Sequence, residues 1–416
     1  MAIDKRAFYK IYDRSGNYVT TWADEVISIP QFNWAMNSSM GEMVITLARD
    51  TINFGEADDV SLIYRVDTYI QDADAPMGTC IHSGQLTGYE INITENGVEQ
   101  IIVHVLSHTI EFQKTMLKDG ANNTTVQYLN TDPSNMVKGL LNFANKTITY
   151  NAASIEETGE SEDYTFRYMT FWEGLEKAVG LCPAYWYFYV DANNNFHLHD
   201  LDTNTVDHEL YVGKHIQSVN VYKTTENMYN SVYFLGGDTG GGSNLYKKYQ
   251  TNGSVTEYGA LETRMQDFRV TTQETGDAFA LKFLNENDHF EQVAQITVLD
   301  SNGSEEVLDG GIKGYDIDSF RPGQIVTVNH PQIEAKFTKW YNDAETLGNF
   351  VWDVSFWDND IEYSFGIPLQ IKQITYNFNS ADLTLSTLFG DVSDRIIGTD
   401  EKVDDVASEN IPTAPS

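Results

Sequence analysis

From Phe8 to about residue 118, apolar and polar positions alternate in short runs: "FYKIYD", "EMVITLAR", "VSLIYRVDTYIQ", "GQLTGYEINIT" and "EQIIVHVLS". These runs are rich in β-branched and aromatic residues, and Gly, Asp and Asn clusters separate them. Period-two alternation bounded by turn residues predicts strands, and several short strands at this spacing predict a barrel or sandwich.

The period then changes. "TDPSNMVKGLLNFAN" opens with Asp132 as an N-cap and Pro133 at the first helical position, and Met136, Leu140, Leu141 and Ala144 share one face. A second helix starts in "TFWEGLEKAVG", where Thr170 and Glu173 have capping-box spacing and Gly180 stands where the helix ends. "AYWYFYVDANNNFHLHD" follows as a hairpin: an aromatic strand, an Asp/Asn turn and a return strand. From Ile216 strands resume with "IQSVNVYK" and "NSVYFLGG". One helix interrupts at "TGDAFALKFLNEN", with Ala278, Leu281 and Leu284 on its buried side. "QITVLD", "GQIVTVNH", "NFVWDVSFW", "LQIKQITYNF" and "DLTLSTLF" complete the strand pattern.

The expected fold class is mainly β with an α+β insert. Its units are 1–118, a β-barrel; 119–215, an α+β domain; 216–397, a second β-barrel region with a helix-containing lobe at about 260–330; and 398–416, a flexible acidic tail without periodicity.

Charge narrows the functional classes. The 416 residues hold 61 Asp and Glu against 26 Lys and Arg, a formal net charge of −35, which repels nucleic-acid phosphates and anionic membrane surfaces. Specific nucleic-acid binding and stable membrane insertion are not expected, since no stretch approaches the roughly eighteen apolar residues of a span. The two cysteines, Cys80 and Cys182, lie about a hundred residues apart and form no disulfide framework.

Candidate chemistry is sparse. "GGDTGGG" at Gly236–Gly242 follows a strand, as a phosphate cradle would. Ser243 and Asn244 replace the Lys-Ser/Thr of a P-loop, and no Gly-x-Gly-x-x-Gly occurs, so a surface connection is expected. His197 and His199 project to one side of a strand, a geometry zinc could use, but the His-x-x-x-Asp that peptidoglycan endopeptidases pair with His-x-His is missing. Two histidines on an exposed hairpin face are expected instead. His208 does not complete His-Glu-x-x-His, because Val212 stands at the second histidine. Asp191, Asn193, Asn195 and Asp202 occupy four positions of a calcium loop, with Phe196 where glycine is needed, so an Asn-rich turn is the reading. Cys182, past a helix C-terminus, is expected to be a small buried residue and not a nucleophile. No catalytic, cofactor-binding or metal-binding residue is assigned.

The order of features carries more information. An Asn-Ser-Val strand (Asn230–Val232), a variable glycine loop, "YGALE", "DFRV" and an alanine-bearing helix follow one another. Before them stand "INFGEADDVSLIYRV", "IHSGQLTGYE", "DPSNMVKGLL" and "YTFRYMTFWEGLEKAVGLCPAYWYFYVDANNNFHL". In these segments the chain resembles the tail hub proteins of long-tailed bacteriophages, the group that includes the N-terminal hub region of the prophage endopeptidase tail family. The resemblance covers about Phe8 to Asp394. It implies two tail-tube-like β-barrels per chain and a homotrimeric ring of six barrels that closes the sixfold tail tube at the virion's tail tip. Its implied partners are the distal tail protein, the tape-measure protein and a central spike or fibre, with DNA leaving through the channel and assembly in the host cytoplasm. Larger members continue into lytic or fibre regions. Here the last strand is soon followed by Ser416, so a structural hub without enzymatic activity or cofactor is expected. The carboxylates are expected either to line the channel and repel DNA or to form a soluble outer surface.

Two rivals remain. Tyr185, Trp186, Tyr187 and Tyr189 could stack on sugars in a host-surface glycan-binding adhesin. A peptidoglycan-cutting tail endopeptidase is the other.

Overall fold

The computed structural model describes residues 5–23, 26–48, 62–71, 77–93, 99–151, 153–201, 205–212, 214–238, 244–300, 314–329 and 368–387. The protein is mainly β.

The first stretch supplies β1 (Arg6–Tyr12), β2 (Tyr18–Trp22), β3 (Gln31–Ala35), β4 (Met43–Ala48), β5 (Arg65–Gln71), β6 (Thr79–Ile93) and β7 (Glu99–Ser107). Six of them form an antiparallel sheet in the order β2-β1-β5-β6-β7-β4. Alternation decides which face is inward: Met43, Ile45 and Leu47 on β4 stand opposite Val105, Val103 and Ile101 on β7, and all six are buried.

The α+β stretch holds α1 (Thr109–Gln113), β8 (Thr125–Thr131), α2 (Pro133–Ala144), β9 (Glu162–Arg167), α3 (Phe171–Gly180) and the hairpin β10 (Tyr187–Val190) with β11 (Phe196–His199). Both expected caps are present. Asp132 accepts the Ser134 amide at 2.7 Å, and Thr170 and Glu173 exchange hydrogen bonds with each other's backbone amides.

The remainder contains β12 (His208–Tyr211), β13 (Ile216–Thr224), β14 (Ser231–Asp238), β15 (Asn244–Gln250), α4 (Asn252–Tyr258), β16 (Glu262–Asp267), α5 (Gln273–Asn287), β17 (Glu291–Leu299), β18 (Ile325–Asn329), β19 (Pro368–Asn377) and β20 (Ser380–Thr387). A second large sheet runs β12-β18-β19-β20-β17-β13. β3 pairs with the C-terminal half of β19, Trp34 opposite Ile374, so the second sheet takes a strand from the start of the chain. "NFVWDVSFW" and the 398–416 tail lie outside the described residues.

Sheet membership therefore does not follow chain order, and neither do the cores. One contiguous buried cluster joins both large sheets, including Tyr9, Trp34, Val103, Ile296, Ile374 and Leu385. A second joins the α+β elements to β14, β15 and α5 through residues such as Phe166, Leu175, Phe234 and Phe279. α5 turns a different side inward than its spacing predicts: Thr275, Gly276, Phe279, Ala280 and Leu284 are buried, while Ala278 and Leu281 are half-buried. The reason is close packing, since a Cβ at Gly276 would press on Leu245 and Phe234. α4 carries no buried residue and no side-chain cap, so the sequence offers no period by which to find it.

Candidate functional site

The hairpin β10–β11 is the meeting point of the described elements. Phe188, Val190, Phe196 and Leu198 point into the α+β core and are buried. The opposite face presents Tyr187, Tyr189, His197 and His199, as the two-residue period requires. This face is half-buried and not exposed, which corrects the sequence expectation. Trp34 of β3 meets Tyr189 edge-on at 5.7 Å, Arg321 lies over Trp34 at 5.5 Å, and the Tyr187 ring occupies the space where a side chain at Gly323 would stand.

The two histidines are fully engaged. The His197 ring stacks on Tyr189 at 4.5 Å, and its Nε2 lies 3.1 Å from Asp191 Oδ2. His199 Nδ1 lies 2.6 Å from Glu156 Oε1, and its Nε2 is 3.5 Å from His197 Nδ1. Among the described residues no group of three or more His, Cys, Asp or Glu has a metal-holding arrangement.

Asp191 organises the turn that resembles a calcium loop. Its carboxylate accepts the amides of Asn193 (2.9 Å) and Asn195 (2.8 Å), besides His197. Burial pushes this carboxyl up, but the bonds from His197 and Asn195 outweigh it and hold the group below the usual carboxylate range. Asn194 sits at φ 62°, where asparagine is tolerated, and donates to Ser83 Oγ of β6 at 3.1 Å. Asp202 lies outside the described residues. On the other side, Asn37 (φ 57°) donates its amide to Phe188 O at 2.8 Å and accepts the Phe188 amide on its side-chain oxygen at 3.0 Å.

Where hairpin, β3, β6, β19 and the segment 317–321 converge there is a cavity of about 20 Å³, room for one water, lined in part by Trp34, Cys80, Ala192, Asp318, Arg321 and Tyr376. Asp318 and the Tyr376 hydroxyl interact with each other here, without a short, well-aligned hydrogen bond to Asp318 Oδ1. Burial raises the Asp318 carboxyl to about 6. Nearby, Lys5 Nζ meets Asp300 Oδ2 at 2.5 Å, both side chains almost fully buried.

The remaining candidates are structural in their surroundings. Cys182 is buried, and burial pushes its thiol up to about 12, as expected for an inert residue. His208 is buried between the Tyr315 hydroxyl (3.0 Å) and Gln324 Oε1 (2.9 Å). The glycine loop joins the antiparallel pair β14 and β15, as a connection between strands; residues 239–243 lie outside the described set. Gly236 and Gly237 belong to β14 itself, and a Cβ on Gly237 would overlap the Phe268 carbonyl. Trp186 is buried in the α+β core, and the Tyr185 hydroxyl donates to Asn285 O at 3.2 Å. The four aromatics thus point to different sides and do not form one open stacking platform.

Sequence reasoning missed β3, Asn37, Ser83, Asn194 and Gly323. Alternating Phe32 and Trp34 gave a signal for β3. Single polar or glycine residues give none.

Solved structures of phage tail proteins share this fold over nearly the whole chain. The 43 kDa tail protein of prophage MuSo2 from Shewanella oneidensis matches with a TM-score of 0.55 at 10% identity, over 92% of this chain and 98% of its own. The tail protein from Neisseria meningitidis MC58 matches at 0.53 and 10% identity, over 93% and 97%. Prophage tail protein gp18 from Listeria monocytogenes EGD-e matches at 0.50 and 9% identity, over 94% and 97%. No family model matches the chain, and no curated protein matches it in sequence.

Proposed function

We propose that the chain is a structural tail hub protein of a long-tailed bacteriophage, located at the virion's tail tip. The observation that carries this reading is the likeness of fold to phage tail proteins across 92–94% of the chain. It meets the ordered sequence features of the hub group independently. In this reading three chains form a ring of six tube-like barrels, built from units 1–118 and 216–397 with β3 lent from the first to the last. The α+β unit 119–215 buttresses them. The ring closes the tail tube, receives the distal tail and tape-measure proteins, carries the spike or fibre, and lets DNA leave past a surface that repels phosphates.

The role is non-enzymatic and needs no cofactor. The engaged nitrogens of His197 and His199 support this, as does the inert setting of Cys182. The covered Tyr187–Tyr189 face speaks against the adhesin. Two measurements test the reading: immunogold labelling of purified virions, and the solution mass of the chain with negative-stain images. A tail-tip label and a three-chain ring support it, whereas absence from virions overturns it. Clearing of cell walls in zymograms, lost with His197→Ala, would overturn the non-enzymatic part.

A further inference from the structure

The six-stranded sheet is electrically lopsided. Among the described residues its Lys and Arg side chains, Arg6, Lys10, Arg14 and Arg65, all lie on β1, β5 and the turn after β1. β6 and β7 carry Glu90 and Glu99, Glu42 immediately precedes β4, and none of these three strands contains Lys or Arg. The cationic half also carries Asp13 and Asp67, the latter paired with Arg65 at 2.6 Å, but four cations to two carboxylates on one half of one sheet, in a chain with 61 acidic and 26 basic residues, are a departure from the background.

Two of the cations, Lys10 and Arg65, are held against rings, and Arg14 donates to Leu62 O at 3.3 Å. Lys10 Nζ lies 4.4 Å from the Tyr69 ring centre, Arg65 lies 4.5 Å over Tyr12, and Phe8 stacks on Tyr69 at 5.1 Å. Side chains fixed in this way lose less freedom on docking. Each half carries exposed apolar surface. At the cationic end Tyr18 on edge strand β2 is 59% exposed. At the anionic end β6 runs on as an arm in which Tyr89, Ile91 and Ile93 are 44%, 51% and 63% exposed, and their two-residue spacing puts them on one side. No strand among the described residues pairs with the outer side of β2, whereas β4 is partly covered by the Ile27 amide on Thr46 O at 2.8 Å.

The geometry points to a head-to-tail contact between copies of this chain, in which the β1–β2 end with Arg14 and Tyr18 grips the next copy's β6–β7 arm, Glu90 on one side of the arm and Ile91 and Ile93 on the other. The two patches lie on opposite halves of one sheet, so the contact is heterologous, and under the ring reading its repetition closes on itself. This rests on the ring reading above and adds which surfaces meet and in which direction.

Sedimentation velocity over a concentration series tests it, using the wild-type chain, Arg14→Glu, Glu90→Arg, Ile91→Asp and the double variant Arg14→Glu/Glu90→Arg. All three positions are exposed, and circular dichroism checks that folding is kept. The wild type assembles, each single variant associates at least about tenfold more weakly, and the double variant regains affinity because the pair is restored with reversed sign. Single variants that assemble like the wild type, or a double variant as weak as its parents, overturn the contact and leave the ring reading standing. A wild-type chain that is monomeric at every concentration overturns both.

Discussion

Asn194 and Ser83, 111 residues apart in the chain, are joined by one buried hydrogen bond of 3.1 Å from Nδ2 to Oγ. The Ser83 hydroxyl donates in turn to Asp67 Oδ1 at 2.7 Å, and Arg65 closes on the other oxygen of Asp67 at 2.6 Å. The hairpin tip is thus fastened to the first sheet by a polar chain whose every member has a partner. Asn194→Gly keeps the left-handed backbone and removes only the amide, and should cost about 1–2 kcal/mol. Chemical denaturation would show a lower midpoint at an unchanged slope; an unchanged midpoint would deny the bond its role.

Gly323 predicts a larger loss. It sits at φ 89°, donates to Ile371 O at 2.8 Å, and a Cβ there would overlap the Tyr187 ring. Gly323→Ala should cost about 3 kcal/mol or more, combining strain with displacement of an aromatic side chain. Paired with Tyr187→Ala, part of the loss should return, which thermal melts of the single and double variants would measure.

Asp318 sets a pH dependence. Its carboxyl titrates near 6 in the folded chain because of burial, against about 4 when unfolded, so the folded state holds the extra proton between these values. Its contribution is fully present below about pH 4 and is lost as pH rises through 6. Asp318→Asn should therefore stabilise the protein at pH 7 by about 2–3 kcal/mol and have little effect at pH 4. The difference between variant and wild-type stability across that range is the readout, and a flat difference would refute the assignment.

Asp267 links β16 to the α+β unit by accepting the Tyr164 hydroxyl at 2.9 Å and Lys177 Nζ at 3.0 Å. Burial raises its carboxyl, but Lys177, the Arg269 amide and the Tyr164 hydroxyl together outweigh this and hold it below the usual range. Asp267→Ala leaves a buried hydroxyl without its acceptor and should cost about 2–3 kcal/mol. Lys177→Met, at a partly exposed side chain, should also destabilise the protein, because it leaves the buried Asp267 carboxylate without its nearest cation. Urea titration of the two variants would check both losses.

What the sequence revealed was local. Asp132 with Pro133, and Thr170 with Glu173, cap helices through contacts three or fewer residues apart, so the signals lie side by side in the chain. The exposed His197 and His199 expected from alternation became half-buried because β3 and the 321–323 turn cover that face, and nothing in "FHLHD" encodes a lid from elsewhere. Gly236 and Gly237 close the strand run "NSVYFLGG" and open the glycine-rich stretch in the sequence; the structure keeps them in β14, where a Cβ on Gly237 would overlap the Phe268 carbonyl.

The pairing of Ala35 with Gln373 also has a consequence in time. At about 5–20 residues per second a ribosome needs roughly a quarter of a minute to just over a minute to travel between them, and throughout that interval the partner strand of Phe32 and Trp34 is not yet made. The finished core is therefore a late event of synthesis, closed from both ends of the polypeptide at once. Splitting the gene between the two β-rich regions would divide that core, and each half would emerge with an adhesive, unfilled edge.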